Sequence, residues 1–190
     1  MKLTPQMWFR LFVTGGLSGA AYDQIHVQGH VLEYPHAVIL QQDWWVAPLF
    51  GLASVVLVAT GGGVARWAER LKPGAIGNRE IVSYFGWFTA AYLASALLPI
   101  PPSALAALFA VTWLARVLPR PDRAPQLLLG VVMAVVGSSF EAWLTTTGSF
   151  HYLNPDLGAI SSWLPGLYLH GGPLAIAWLI RLQQPKMNKP

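Results

Sequence analysis

The chain has 190 residues, 54% of them hydrophobic and only 11% charged, with a formal net charge of +4. A soluble domain carries about 25% charged residues, so there is too little charge to cover a globule in water, and lipid is the implied solvent. The absence of cysteine excludes disulfides, thiol catalysis and thiolate metal sites, and the basic residues do not cluster as a nucleic-acid face requires.

A bilayer core takes about 20 apolar residues per helix. The first such run covers residues 8–27 and reads as a retained span, because no small-residue cleavage site follows it. Asp23 and Gln24 lie about 20 Å along this helix from Arg10, at 1.5 Å per residue, and therefore within the hydrocarbon. A carboxylate at that depth costs a few kcal/mol. It marks either a functional site facing the interior or an outer-end Asp bonded to a neighbouring helix. Gly15 and Gly19 form a GxxxG pair, a signal of close helix packing and of self-association. In the loop that follows, His26, His30, Glu33 and His36 have metal-ligand chemistry. Gly29 and Pro35 interrupt the helix that would hold them and no HExxH pattern is present, so no metal site is assigned.

The second run, 44–65, opens on Trp44 and Trp45, whose indoles suit the headgroup level. Gly61 to Gly63 precede no Lys-Ser/Thr pair and are not a phosphate loop. The third run, 81–100, follows Asn78, read as the N-cap, and Glu80, favoured in the first turn by the helix dipole. The fourth covers 101–118, with proline at its start. The fifth, 126–147, carries Glu141 near its outer end, where an interfacial role is expected, while Ser138 and Ser139 lack the setting of a nucleophile elbow. The sixth, 159–180, contains the broken stretch SSWLPGLYLHGGP at 161–173, with Trp163 near its head. Pro165 sits where its missing N–H does least harm. Gly171 and Gly172 lie deeper and leave room for a neighbour, either another helix or a lipid-like ligand. His151 and His170 are isolated.

The charges test this map independently. Lys2 and Arg10 flank the first run; Arg66, Arg70, Lys72 and Arg79 lie between the second and third. Arg116, Arg120 and Arg123 lie between the fourth and fifth, and Arg181, Lys186 and Lys189 follow the sixth, which accounts for all 12 basic residues. The intervening segments hold none. Such alternation predicts an all-α integral membrane protein, a single unit of six transmembrane helices with both termini cytoplasmic.

Several blocks resemble the insulin-induced gene protein (Insig) family: Gln24, Ile25 and Pro35, then WWVAP at 44–48, Arg79-Glu80, and HYLNPDLGAISSWLPGLYLHGG at 151–172. The resemblance runs in order over nearly the whole chain, and the Ala-, Pro- and Arg-rich composition without cysteine points to a bacterial homologue in the inner membrane. It implies a six-helix membrane protein without catalysis or cofactor. Eukaryotic members bind oxysterols and retain sterol-sensing partners in the endoplasmic reticulum. Members carry an acidic residue after the Ala-Ser-Ala of span three for partner binding; here 94–103 reads ASALLPIPPS, with Pro99 near that place, so partner retention is not carried over.

The sequence therefore supports a non-enzymatic protein that holds a sterol or diacylglycerol-like neutral lipid between its helices. Asp23, Gln24, Trp45, Trp163, Gly171 and Gly172 are the expected lining. The alternative is an intramembrane enzyme or proton-coupled carrier using Asp23 with Glu141 or His26. A homo-oligomer is compatible with either.

Overall fold

The computed structural model describes residues 3–72 and 76–183, and the charges on Lys2, Lys186 and Lys189 lie outside the described residues. Six helices follow one another: α1 (Pro5–Gln28), α2 (Val46–Leu71), α3 (Asn78–Leu97), α4 (Pro102–Val117), α5 (Arg123–Thr146) and α6 (Leu164–Gln183). Thr4 caps α1, its hydroxyl accepting from the Met7 N–H at 3.3 Å, with proline at the first helical position. Two short strands, β1 (Leu32–Glu33) and β2 (His151–Tyr152), pair antiparallel and tie the α1–α2 connection to the α5–α6 connection.

Several boundaries differ from expectation: α2 starts at Val46 and runs on to Leu71, past the expected 44–65, and α3 ends at Leu97, short of 100. Residues 159–163 are not helical: Leu157 and Ile160 form an isolated bridge, and Asp156 accepts from both the Ser162 backbone N–H (2.7 Å) and its hydroxyl (2.6 Å). The Ser162 hydroxyl holds the Asp156 carboxyl below its ordinary value. That local bonding completes a turn before α6 can begin. Asn78 is not the N-cap of α3, which starts on Gly77 without a side-chain cap; its amide oxygen accepts from Arg181 at 3.3 Å instead.

The helices α2 and α5 are long and apolar enough to cross a bilayer on those grounds alone, and α4 is apolar but shorter. The pattern of exposure carries the other helices. Phe9 and Leu17 on α1, Val82 on α3, Val111 on α4 and Val136 on α5 are all more than 60% exposed, whereas Asp23, His26, Gln126, Ser138 and His170 are buried. Apolar groups outside and polar groups inside is an arrangement for lipid, not water.

The centre is α6, which packs against α2, α3, α4 and α5. Leu164, Leu167, Ile176, Leu179 and Ile180 on it are all buried, as a helix apolar all round requires. Pro173 lies inside this helix and is fully buried. The GxxxG pair of α1 is used within the chain. A Cβ on Gly15 would lie 2.1 Å from Ser54 Oγ, and one on Gly16 would lie 2.6 Å from the Ala47 carbonyl, so α1 and α2 meet almost backbone to backbone.

One end of the bundle gathers the basic connections. Glu80 accepts from Lys72 Nζ (2.7 Å), Arg120 Nη2 (2.6 Å) and Tyr84 Oη (3.0 Å), and Arg120 Nε also donates to Asp122 (3.0 Å). The glutamate read as a dipole partner is thus a hub joining the ends of α2, α3 and α4. Burial pushes its carboxyl up, but the hydrogen bonds from Lys72, Arg120 and Tyr84 outweigh burial and hold it below the ordinary 4.5. A lowered carboxyl stabilises the fold above about pH 4.5 and loses that contribution as pH falls through the native-state value. Glu80→Gln is therefore expected to cost about 1–2 kcal/mol near neutral pH. It should also flatten the acid limb of a melting-temperature-versus-pH curve recorded in detergent.

Candidate functional site

The opposite end carries a buried polar cluster. Asp23, on α1, is buried and accepts from Tyr34 Oη (2.9 Å) and Gln42 Nε2 (2.7 Å). Gln42 is itself buried, and the same amide donates to the Ala20 carbonyl at 2.9 Å. Asp23 therefore bonds neither to a neighbouring helix nor to a water-facing interface. It fastens the connection between α1 and α2 back onto α1. Gln24 Nε2 donates to the Leu40 carbonyl at 2.9 Å, while its buried Oε1 has no partner among the described residues.

A second carboxylate faces inward. Glu141, expected at an interface, accepts from Tyr152 Oη and Tyr168 Oη, on β2 and α6. Depth along a helix is readable from residue number, but which way Glu141 turns depends on α6, which presents Tyr168 against Gly137 of α5. Tyr92, Tyr168 and Glu141 are half-buried rather than fully enclosed.

His26 completes one wall. It is buried, with its Nε2 2.8 Å from Ser95 Oγ, its ring stacked on Tyr92 at 4.8 Å and the Trp163 ring meeting it edge-on at 5.3 Å. Its partners are thus aromatic rings and a hydroxyl on α3, not Asp23. Glu33 pairs with His151 across the strands at 2.7 Å, and no group of three or more metal-type side chains gathers among the described residues.

The expected lining residues divide. Asp23, Gln24 and Trp163 border the cluster, and Trp45 turns its ring edge-on to Tyr34 at 5.6 Å. Trp45 therefore packs inward, while Trp44 is exposed. The adjacent glycines Gly171 and Gly172 of α6 differ. A Cβ on Gly171 would meet only side chains, Met133 Cε at 2.9 Å and Phe88 at 3.4 Å; one on Gly172 would meet the α5 backbone, Gly130 Cα at 2.7 Å. No motif in the sequence marks Tyr34, Gln42, Tyr92, Tyr152 or Tyr168 as a site residue. The available signal is that tyrosine is costly in hydrocarbon unless its hydroxyl finds a partner, and these tyrosines flank the two acids.

No protein-family model and no curated protein matches the chain. Two solved structures do. One is the crystal structure of MvINS, a mycobacterial Insig homologue from Mycobacterium vanbaalenii, 26% identical, with a TM-score of 0.71 and 95% of each chain covered. The other, a cross-linked MvINS trimer, is 23% identical with a TM-score of 0.73, covering 98% of this chain and 100% of that one. A shared fold over nearly the whole of both chains, with blocks near both ends that carry the family pattern, makes this chain an Insig-like membrane protein.

Proposed function

We infer that the chain is a non-enzymatic, lipid-binding protein that holds a neutral lipid with a small hydroxyl-bearing head, of the sterol or diacylglycerol type, between α1, α3, α5 and α6. The observation that carries this reading is the set of polar groups gathered inside an otherwise apolar bundle: Asp23 with Tyr34 and Gln42, Glu141 with Tyr152 and Tyr168, and His26 with Ser95. An apolar body would lie between the helices and a hydroxyl would bond to the few polar groups present, as in concave sites generally. Asp23, Gln24, Trp45 and Trp163 would border the head, with the unpartnered Gln24 Oε1 as an available acceptor. Gly171 would leave room beside Met133, and Gly172 would hold the neighbouring helix in place. In a bacterium the protein would sit in the inner membrane with its basic end cytoplasmic. It would self-associate through lipid-facing surfaces rather than the Gly15–Gly19 face, which α2 occupies. The cross-linked MvINS trimer supports self-association. Partner retention of the eukaryotic kind is not part of the proposal.

Native mass spectrometry of the purified protein is expected to show a retained lipid, and delipidated protein should take up diacylglycerol or sterol stoichiometrically. The absence of both retention and uptake would overturn the reading. An intramembrane enzyme or proton-coupled carrier is the second reading, favoured by a second inward-facing carboxylate, Glu141, held by Tyr152 and Tyr168. Under the lipid reading, proteoliposomes carrying Asp23→Asn show the same flux as wild type; flux lost in that variant selects the carrier instead.

A further inference from the structure

The connection between α1 and α2 is not an ordinary surface loop. The end of α1 is level with the end of α3, because Gly29 lies against Ala96, next to the last residue of α3. The first turn of α2 lies much lower: the Ala47 carbonyl packs on Gly16, about 20 Å below Gly29 measured along α1. The chain must therefore descend from one level to the other without helix. The Leu40 carbonyl is held by Gln24, about 7 Å below Gly29 by the same measure, and Gln42 is held by Ala20 and Asp23.

Backbone at such a depth persists only if its polar groups are satisfied. Here the Val38 and Ile39 N–H groups donate to the Gln42 carbonyl, the Gln42 N–H donates to the Ile39 carbonyl, and Gln24 caps the Leu40 carbonyl. Leu40 and Gln41 carry φ of 49° and 66°, left-handed values that cost non-glycine residues about 1–2 kcal/mol each. A turn tight enough to close these bonds requires that conformation. Buried Asp43 accepts from the Trp44 N–H at 2.9 Å beside the start of α2, where the helix dipole favours an anion. The tip is apolar and open, with Val38, Ile39, Leu40 and Trp44 each at least 60% exposed.

We propose that residues 38–41 form a re-entrant turn seated in the leaflet at the non-basic end, with Val38, Ile39 and Leu40 in contact with lipid acyl chains near the headgroup boundary. A tip about 7 Å below the end of α1 falls within the 5–10 Å depth of interfacial segments. This assignment does not depend on whether a ligand occupies the interior.

The chain has no cysteine, so single labelling sites can be introduced into the full-length protein in nanodiscs. An environment-sensitive fluorophore on Leu40→Cys or Ile39→Cys is expected to lose roughly half its emission to lipids carrying a nitroxide near the headgroup end of the chain, and little to aqueous iodide. Leu17→Cys, on the exposed face of α1, serves as the lipid control and Asn154→Cys, on the exposed α5–α6 connection, as the water control. Iodide quenching equal to that at Asn154 overturns the proposal by placing the turn in a wet vestibule. A blue-shifted label reached by neither quencher overturns it in favour of contact with another protein surface.

Discussion

Gly172→Val is expected to prevent the chain from reaching a stable fold. The added Cβ would lie 2.7 Å from Gly130 Cα and 2.8 Å from its backbone nitrogen, distances at which something must move. A flexible side chain could yield; the α5 backbone cannot yield without taking its neighbours along. Separating α5 from α6 would also draw Gly137 from the Tyr168 ring and break the Glu141–Tyr168 hydrogen bond. Because α6 touches α2, α3 and α4 as well, the strain cannot be confined to one interface. Overpacking of this kind costs about 3 kcal/mol or more. Gly171→Ala provides the contrast: its nearest neighbour is the mobile end of Met133, and the expected cost is below about 1 kcal/mol. Thermal unfolding in detergent, followed by size-exclusion fluorescence, should rank the two variants in that order. Equal melting of Gly172→Val and wild type would mean that α5 and α6 are not in backbone contact.

Removing the carboxylate of Asp23 should have the second largest effect. In Asp23→Ala, Tyr34 loses the acceptor for its hydroxyl, while Gln42 keeps the Ala20 carbonyl. One buried donor left unsatisfied costs about 1–3 kcal/mol. A loss of about 2 kcal/mol is therefore expected, together with faster backbone hydrogen exchange over residues 34–43, which Asp23 fastens to α1. Combining Asp23→Ala with Tyr34→Phe removes both partners, so the double variant should be more stable than additivity implies. Strict additivity would show that the bond contributes nothing to stability. If lipid uptake also fell in Asp23→Asn, which keeps an acceptor and little altered shape, the residue would border the ligand as well as hold the loop.

The acids show where sequence reading stops. Asp23 could be placed by depth, because Arg10 supplies a reference on the same helix. Its partners could not be named, because Tyr34 and Gln42 lie on a connection whose descent beside α1 leaves no periodic trace. The depth of Glu141 is legible, but its inward turn onto Tyr152 and Tyr168, in place of the expected interfacial role, is not. Glu80 was read through its own helix, whereas Lys72 and Arg120 reach it from two other connections.

What the sequence determined by itself is the number of crossings and the end at which the basic connections lie. Apolar length and Lys/Arg position are one-dimensional properties, written along the chain and enforced by a solvent with two sharp boundaries. What only the tertiary structure decided is rotation: which face of α5 carries Glu141 inward, that α6 is the central helix, and that α2 begins well below the end of α1. In water, the contrast between core and solvent would mark the inward face of each helix as an apolar stripe. Lipid is as apolar as the core, so that contrast vanishes, and the inward face is set instead by where glycines let backbones meet and where tyrosine hydroxyls find their carboxylates.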